Sequence, residues 1–271
     1  MRVLALGLLA VLVSPSIAMA AQQQAPTQSA PPVQQSGQAV AVAAQMLQAL
    51  GTGAVSDVTL TGAARRIAGS DDEEGTVVLK ALATGEAQLD LSFPSGPRSE
   101  VVARSDKGPI GKWTGSDGKA HAVAQHNLAV DSAWFFPALM LRRAGAFRGS
   151  VFALAESEMR DGRAVEHLVV VQRLPNLSGD SASLHEHLSQ MDIYVDSSTL
   201  LPVAVAFNAH PNNNVLLDIL VEIRYSDYRA VNSVQTPFHI QKYMNNSLVL
   251  DLQFQAVNLN TGLTPSSFNA Q

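Results

Sequence analysis

The sequence has no cysteine. That excludes a disulfide framework and the acylated cysteine through which a lipoprotein leader anchors its chain, so the folded part must be held by its core alone. Charge is scarce too: 15% of residues are charged and the formal net charge is -5. A duplex-binding protein needs a basic face to displace counterions from phosphate, and no basic cluster occurs, so no nucleic-acid partner is expected. Long apolar runs are also missing. The stretch Val3 to Val13 is too short to span a bilayer, no later one is long enough, and the protein is not expected to be membrane-spanning. No segment repeats at a fixed period, which disfavours solenoids and propellers.

The chain opens with Met1-Arg2, the apolar run, a break at Pro15 and Ala18-Met19-Ala20, a small-x-small pattern of the kind signal peptidase cleaves. Residues 1–20 therefore read as a cleaved signal peptide, and the protein as periplasmic or secreted. Residues 21–38 contain "QQQAPTQSAPPVQQSGQ", whose one aliphatic side chain, Val33, cannot bury enough surface to offset ordering; they read as a disordered Gln/Pro-rich arm. Residues 39–271 suit one domain.

That domain begins with an Ala-rich helix, Ala39 to Leu50, stopped at Gly51. Period-two patterns then dominate. In "MDIYVDSSTLLPVAVAFNAH", Met191, Ile193 and Val195 alternate with Asp192, Tyr194 and Asp196; after a turn, Leu201, Val203, Val205 and Phe207 alternate with Pro202, Ala204, Ala206 and Asn208. This is a β-hairpin. Further strands read at Val58–Ala64, Thr76–Ala83, Ala87–Phe93, Glu100–Arg104, Ser150–Glu156, Arg163–Arg173, Val215–Tyr225, Thr236–Tyr243 and Leu248–Leu259. "AGSDDEEG" and "ATGE" read as hairpin tips. Between Asp131 and Arg143, "DSAWFFPALMLRR" bunches its apolar residues at helical spacing, which predicts a helix from Pro137 to Arg143 with Trp134, Phe135 and Phe136 leading in. About ten antiparallel strands with two helices, each strand having one apolar and one polar face, predict a mostly β (α+β) fold: a single large curved antiparallel sheet forming an incomplete β-barrel, with helices covering the open side.

Catalytic patterns are weak. Gly179-Asp180-Ser181 matches the nucleophile block of GDS-type esterases, but it lies far from the N-terminus and has no base in a defined place, so "SGDSASLHEH" reads as a polar loop. His185 and His187 would share one side of a strand, yet no third ligand is identifiable, and His121 and His126 are isolated. Asp71-Asp72-Glu73-Glu74 lacks the alternation of a calcium loop and reads as a solvated tip. The expectation is no enzyme, no catalytic residue, no metal site and no cofactor.

The C-terminal third carries a sharper signal. "DIYVDSSTLLPVAVAF", then Tyr225 and Tyr228 in a Y-x-D-Y stretch, Val234 and Pro237 in V-x-x-P, Asn260 to Leu263 as N-x-G-L, and Phe268 resemble, in that order, the closing elements of LolA-like outer-membrane lipoprotein-sorting proteins. Ser116 to Lys119, "SDGK", sits where that family has such a turn; the aromatics that usually follow it are replaced here by His121 and Val123. The resemblance implies a half-barrel plugged by helices around an apolar cavity, and a periplasmic carrier or binder of an apolar or lipidated ligand, in contact with membrane-associated partner proteins. On that reading Trp134, Phe135, Phe136, Leu139 and Met140 cover the open side and face Val203, Val205 and Phe207, while Ala204 and Ala206 are small either to leave room for ligand or to pack under a helix. The alternative is an exported, non-enzymatic interaction protein with a filled core on the same fold.

Overall fold

The computed structural model describes residues 33–51, 53–130 and 132–269. The expected signal peptide and most of the expected arm lie outside the described residues. In chain order the elements are α1 (Gly37–Ala49), β1 (Asp57–Ala68), β2 (Asp71–Leu82), β3 (Ala87–Phe93), β4 (Gly96–Ser105), β5 (Gly108–Thr114), β6 (Ala120–Ala122), α2 (Pro137–Ala146), β7 (Ser150–Leu154), β8 (Glu158–Arg160), β9 (Arg163–Gln172), α3 (Gly179–Ser189), β10 (Met191–Asp196), β11 (Pro202–Ala209), β12 (Ile219–Val231), β13 (Val234–Met244) and β14 (Ser247–Leu259).

The described strands form one 14-stranded antiparallel sheet in the order β6-β5-β4-β3-β2-β1-β14-β13-β12-β11-β10-β9-β7, with β8 paired to β9. Strands β1 to β6 run outward from the middle as a meander, and β9 to β14 return from the other side. The first and last strands thus meet at the centre, from Val58↔Leu259 to Arg66↔Leu250, with a bulge at Thr61/Gly62. A Cβ on Gly62 would lie 2.1 Å from the Gln253 carbonyl oxygen, so the close approach of β14 requires glycine there.

The outermost strands, β6 and β7, do not pair with each other, and the sheet stays an open half-barrel. The chain joining these two edges has to cross the opening, which is why α2 lies over it. Pro137 starts α2 at the first helical position, where its missing N–H costs nothing. Tyr225 Oη donates to the Trp134 carbonyl at 2.5 Å, and Arg142 Nη2 donates to the Gly51 carbonyl at 2.8 Å, fastening the crossing segment to β12 and to the end of α1. Beneath it, Leu60, Leu79, Leu168, Ile193, Val205, Ile223, Ile240 and Leu252 form a solvent-free concave face packed against Met46, Leu50, Phe135, Phe136, Leu139 and Met140. No helix among the described residues is long and apolar enough to cross a membrane.

The structure departs from the sequence reading at several points. The added strands are short: β5, β6 and β8 offer little hydrophobic alternation to detect. Asp71 to Glu74 are not a hairpin tip but the start of β2, where Asp72 pairs with Arg65 at 2.5 Å and Glu73 with Arg66 at 3.2 Å on the facing strand. Strand β12 begins at Ile219, because Val215 to Asp218 belong to the preceding loop. "SGDSASLHEH" is the helix α3, tied to β9 by Arg173 Nε on Glu186 at 2.7 Å and by the Gln172 N–H donating to Ser189 Oγ at 3.0 Å. Residues 33–38, placed in the arm from composition, are attached to the sheet. Ser36 N–H donates to the Phe152 carbonyl at 2.9 Å, Phe152 N–H donates to Gln35 Oε1 at 2.8 Å, and Arg173 donates to the Val33 carbonyl. Helix α1 accordingly begins before Ala39, with Ser36 as its N-cap.

Candidate functional site

Between the α2 crossing and the two halves of the sheet lies a cavity of about 1050 Å³. Its wall takes Val102 and Arg104 from β4, Trp113 from β5, Met191 from β10, Phe207 and Ala209 from β11, Ile219 and Val221 from β12, Lys242 and Met244 from β13, and Asn127 to Val130 and Ser132 from the connector. The lining is mainly apolar. Among the described lining residues Glu100 is the only carboxylate, against Arg104, Arg143 and Lys242. Arg104 and Arg143 are anchored on the Thr84 and Leu82 carbonyls at 2.8 and 3.0 Å, and Lys242 Nζ stands 5.0 Å from the Trp134 ring centroid.

The residues expected to enclose a ligand divide between two settings. Trp134 and Phe207 line the cavity. Phe135, Phe136, Leu139, Met140 and Val205 are fully buried in the packed core, Phe135 also touching a small void beside Trp134. Val203, at the β-bulge following Pro202, is half-buried and lines neither cavity. Ala204 and Ala206 lie on the opposite face of β11, between Tyr194 and Arg224 and between Asp192 and Glu222 respectively. Their small size accommodates this polar layer, in which Arg160 stacks 3.7 Å from the Tyr194 ring centroid and bonds Glu222 at 2.8 Å. Neither ligand room nor a covering helix explains them. Sequence reasoning missed the connector, the lining cations and His210; the alternation of Phe207 and Ala209 with Asn208 and His210 marked the strand end, but not what it faces.

His210 stands at one side of the cavity, just past β11. Asn127 grips its backbone twice, Asn127 Nδ2 donating to the His210 carbonyl and Asn127 Oδ1 accepting the His210 N–H, each at 2.8 Å. The His210 side chain is wholly buried, and neither of its ring nitrogens makes a well-formed hydrogen bond. Its Nδ1 lies 3.4 Å from Asp218 Oδ1, an approach not aligned as a hydrogen bond, while His187 Nε2 on α3 is 2.9 Å from the same oxygen. Burial lowers the His210 pKa, with Asp218 and the Leu217 backbone opposing and His187 and His126 adding to the depression, so the neutral ring is favoured. The His126 and His187 ring centroids are 5.9 and 5.5 Å from that of His210. His185 does not join this group of ligand atoms, and His121 stacks on Trp113 with 4.3 Å between centroids.

A second polar row crosses β12, β13 and β14: Ser226 Oγ, His239 Nδ1 and Nε2, and Asp251 Oδ1, with both contacts at 2.9 Å. It lines neither cavity, and Gln241 Nε2 also holds Asp251 at 2.7 Å. These bonds form a cross-strand ladder of polar side chains.

The motif residues of the C-terminal third turn out to be braces. Tyr228 Oη donates to the Pro202 carbonyl at 2.8 Å. Asn260 Oδ1 accepts the Ser56 N–H at 2.8 Å, and Thr261 N–H and Oγ1 each donate to Asp57 Oδ1 at 2.7 Å while Gly262 N–H reaches Oδ2 at 3.1 Å. Burial would raise the Asp57 pKa, but these donors, with Ser56, outweigh it and hold the carboxyl below its ordinary value. Phe268 fills a separate small cluster with Leu82, Val101 and Ala103.

No protein-family model matches the chain, and no curated protein matches it. Solved structures do. A domain named for outer-membrane lipoprotein sorting, from Vibrio parahaemolyticus, aligns with a TM-score of 0.52 at 14% identity, over 84% of this chain and 94% of that one. A DUF1329 family protein from Desulfovibrio piger gives 0.53 at 10% identity over 88% and 100%, and a LolA superfamily protein from Nitrosomonas europaea 0.52 at 11% over 84% and 97%. At these identities the likeness establishes the fold, an open LolA-like half-barrel.

Proposed function

We propose that this chain, with its LolA-like fold, is an exported carrier or binder that holds an apolar ligand, such as a lipid or the acyl chains of a lipoprotein, in the cavity of the half-barrel. The observation that carries the reading is the cavity itself. Its volume of about 1050 Å³ is at the top of the range of ligand pockets, roughly 300–1000 Å³, and its wall is apolar with a few placed polar groups. Arg104, Arg143 and Lys242 against Glu100 favour a ligand with an anionic end. A leader-like N-terminus supports export. Leu216, Leu217 and Leu220 stand 77%, 52% and 37% exposed in and after the loop that follows His210, a suitable apolar contact for a membrane-associated partner.

The test is native mass spectrometry of the protein recovered from its own cell envelope, followed by titration with a fluorescent fatty acid. A co-purified lipid and saturable probe uptake that Phe207→Ala weakens are expected. A clean apo mass with no probe uptake would replace this reading with the interaction protein of filled core.

A further inference from the structure

We propose that His187, His210 and Asp218 bind one divalent transition metal of the zinc class at the side of the cavity. The three residues come from α3, from the end of β11 and from the loop before β12, and a ligand atom from each lies within 4.8 Å of the other two. Two of the separations, 2.9 and 3.4 Å, bracket the edge of a tetrahedron built on metal-ligand bonds of about 2.0–2.1 Å, which is roughly 3.3 Å. Small outward shifts of His187 and Asp218, both partly exposed, would open the space an ion needs.

The second observation is the state of His210. A buried imidazole normally finds a partner for each nitrogen, because an unsatisfied polar group out of water is costly. Here the ring is fully buried and neither nitrogen makes a well-formed hydrogen bond, the Leu217 backbone being the one hydrogen-bonding group beside it, with Nδ1 turned toward Asp218. A cation between them would give Nδ1 a partner. The His210 backbone is held in place from both sides by Asn127, so the ligand is positioned before any ion arrives. Two neutral imidazoles and one carboxylate suit zinc, cobalt, nickel or copper; magnesium and calcium prefer all-oxygen sets. Three protein ligands leave a fourth position open.

The sequence left the His185–His187 pair without a third ligand. The fold supplies His187 with two, from residues that no short motif connects. Occupation would tie the loop from Pro211 to Asp218 to α3, and with it Leu216 and Leu217. The proposal does not depend on the carrier reading.

The experiment is calorimetric titration of the full chain, carrying no polyhistidine tag and stripped with chelator, with Zn²⁺ and separately with Ca²⁺ and Mg²⁺. Expected is one equivalent of Zn²⁺ with a rise in thermal midpoint, and no uptake of the other two ions. His187→Ala and Asp218→Asn, both at partly exposed positions, should each weaken Zn²⁺ binding about tenfold or more, with unchanged circular dichroism. His121→Ala, at a surface ring stacked on Trp113, should bind as the parent does. Co²⁺ should give a visible spectrum that His187→Ala alters. Absence of stoichiometric Zn²⁺ binding, or equal affinity in His187→Ala and Asp218→Asn, would overturn the assignment.

Discussion

The interior of the half-barrel is two regions with different chemistry. Around Phe135, Phe136, Leu139 and Met140 it is solid: these side chains are 1% exposed or less and sit on Met46, Leu50 and the fully buried row of the sheet. Around Trp134, Phe207 and Met191 it is hollow, and the wall includes three cations and a carboxylate. One short segment, Trp134-Phe135-Phe136, contributes to both. The lesson is that an aromatic cluster at the mouth of an open sheet does two jobs within successive residues, completing the core with some side chains and lining the void with another.

The sharpest way to break that comparison is to cut into the solid part. Phe136→Ala removes a fully buried aromatic and should cost about 3–5 kcal/mol in urea unfolding. A loss well under that range would mean that the packed region is looser than its burial indicates. Next in size is the clasp at the β1–β14 seam, which belongs to the solid part and not to the cavity wall. Asp57→Asn should cost about 1–3 kcal/mol, since it replaces a buried carboxylate that accepts three bonds from Thr261 and Gly262 by an amide with one acceptor oxygen. Because folding depresses the Asp57 pKa, its contribution is complete above the unfolded value of about 3.9 and is lost as pH falls through the folded value. Acid titration of the parent should show this loss and that of Asp57→Asn should not, while fatty-acid uptake at neutral pH stays unchanged in both.

The hollow part should answer in the opposite sense. Phe207→Ala should destabilise by less than the core-aromatic range of about 3–5 kcal/mol while weakening probe uptake, measured side by side in one preparation. Equal stability losses in Phe207→Ala and Phe136→Ala would erase the distinction. The smallest effect is expected at the α1 cap: Ser36→Ala loses the bond from the Ala39 N–H, costing about 1 kcal/mol in thermal or urea melts, with the cavity untouched.

Much of the architecture was legible because alternation is a local signal. The hairpin of β10 and β11 reads directly from its two apolar rows. Its turn is fixed by Asp196, whose Oδ1 accepts the Ser198 and Thr199 N–H groups at 2.8 and 2.9 Å, with Leu200 at φ 59°. Helix α3 was not legible. Ser, Asp and His fill it, it has no strong apolar stripe, and the contacts to β9 that hold it, Arg173 to Glu186 and Ser189 to Gln172, are tertiary. The site was the least legible part. Trp134 and Phe207 could be picked out as apolar residues near the opening, but whether an aromatic ends in core or void depends on what stands across the barrel. The joining of His187, His210 and Asp218 depends on where α3 and a loop come to rest. The resemblance to the LolA-like family was carried mostly by Tyr225, Tyr228, Asn260 and their neighbours, which brace the sheet and line neither cavity; of the hairpin it also rests on, Phe207 lines the cavity. That is why it located the fold and said little about the site.

The seam has a kinetic meaning as well. Strand β1 is made first and its central partner β14 last, so the middle of the sheet cannot zip until nearly all of the chain is available. Contacts so distant in sequence slow folding, because the loop entropy is lost before the pairing compensates it. Until β14 arrives, β1 has one unpaired edge, and a chain stopped short of Ser247 leaves that edge open for good.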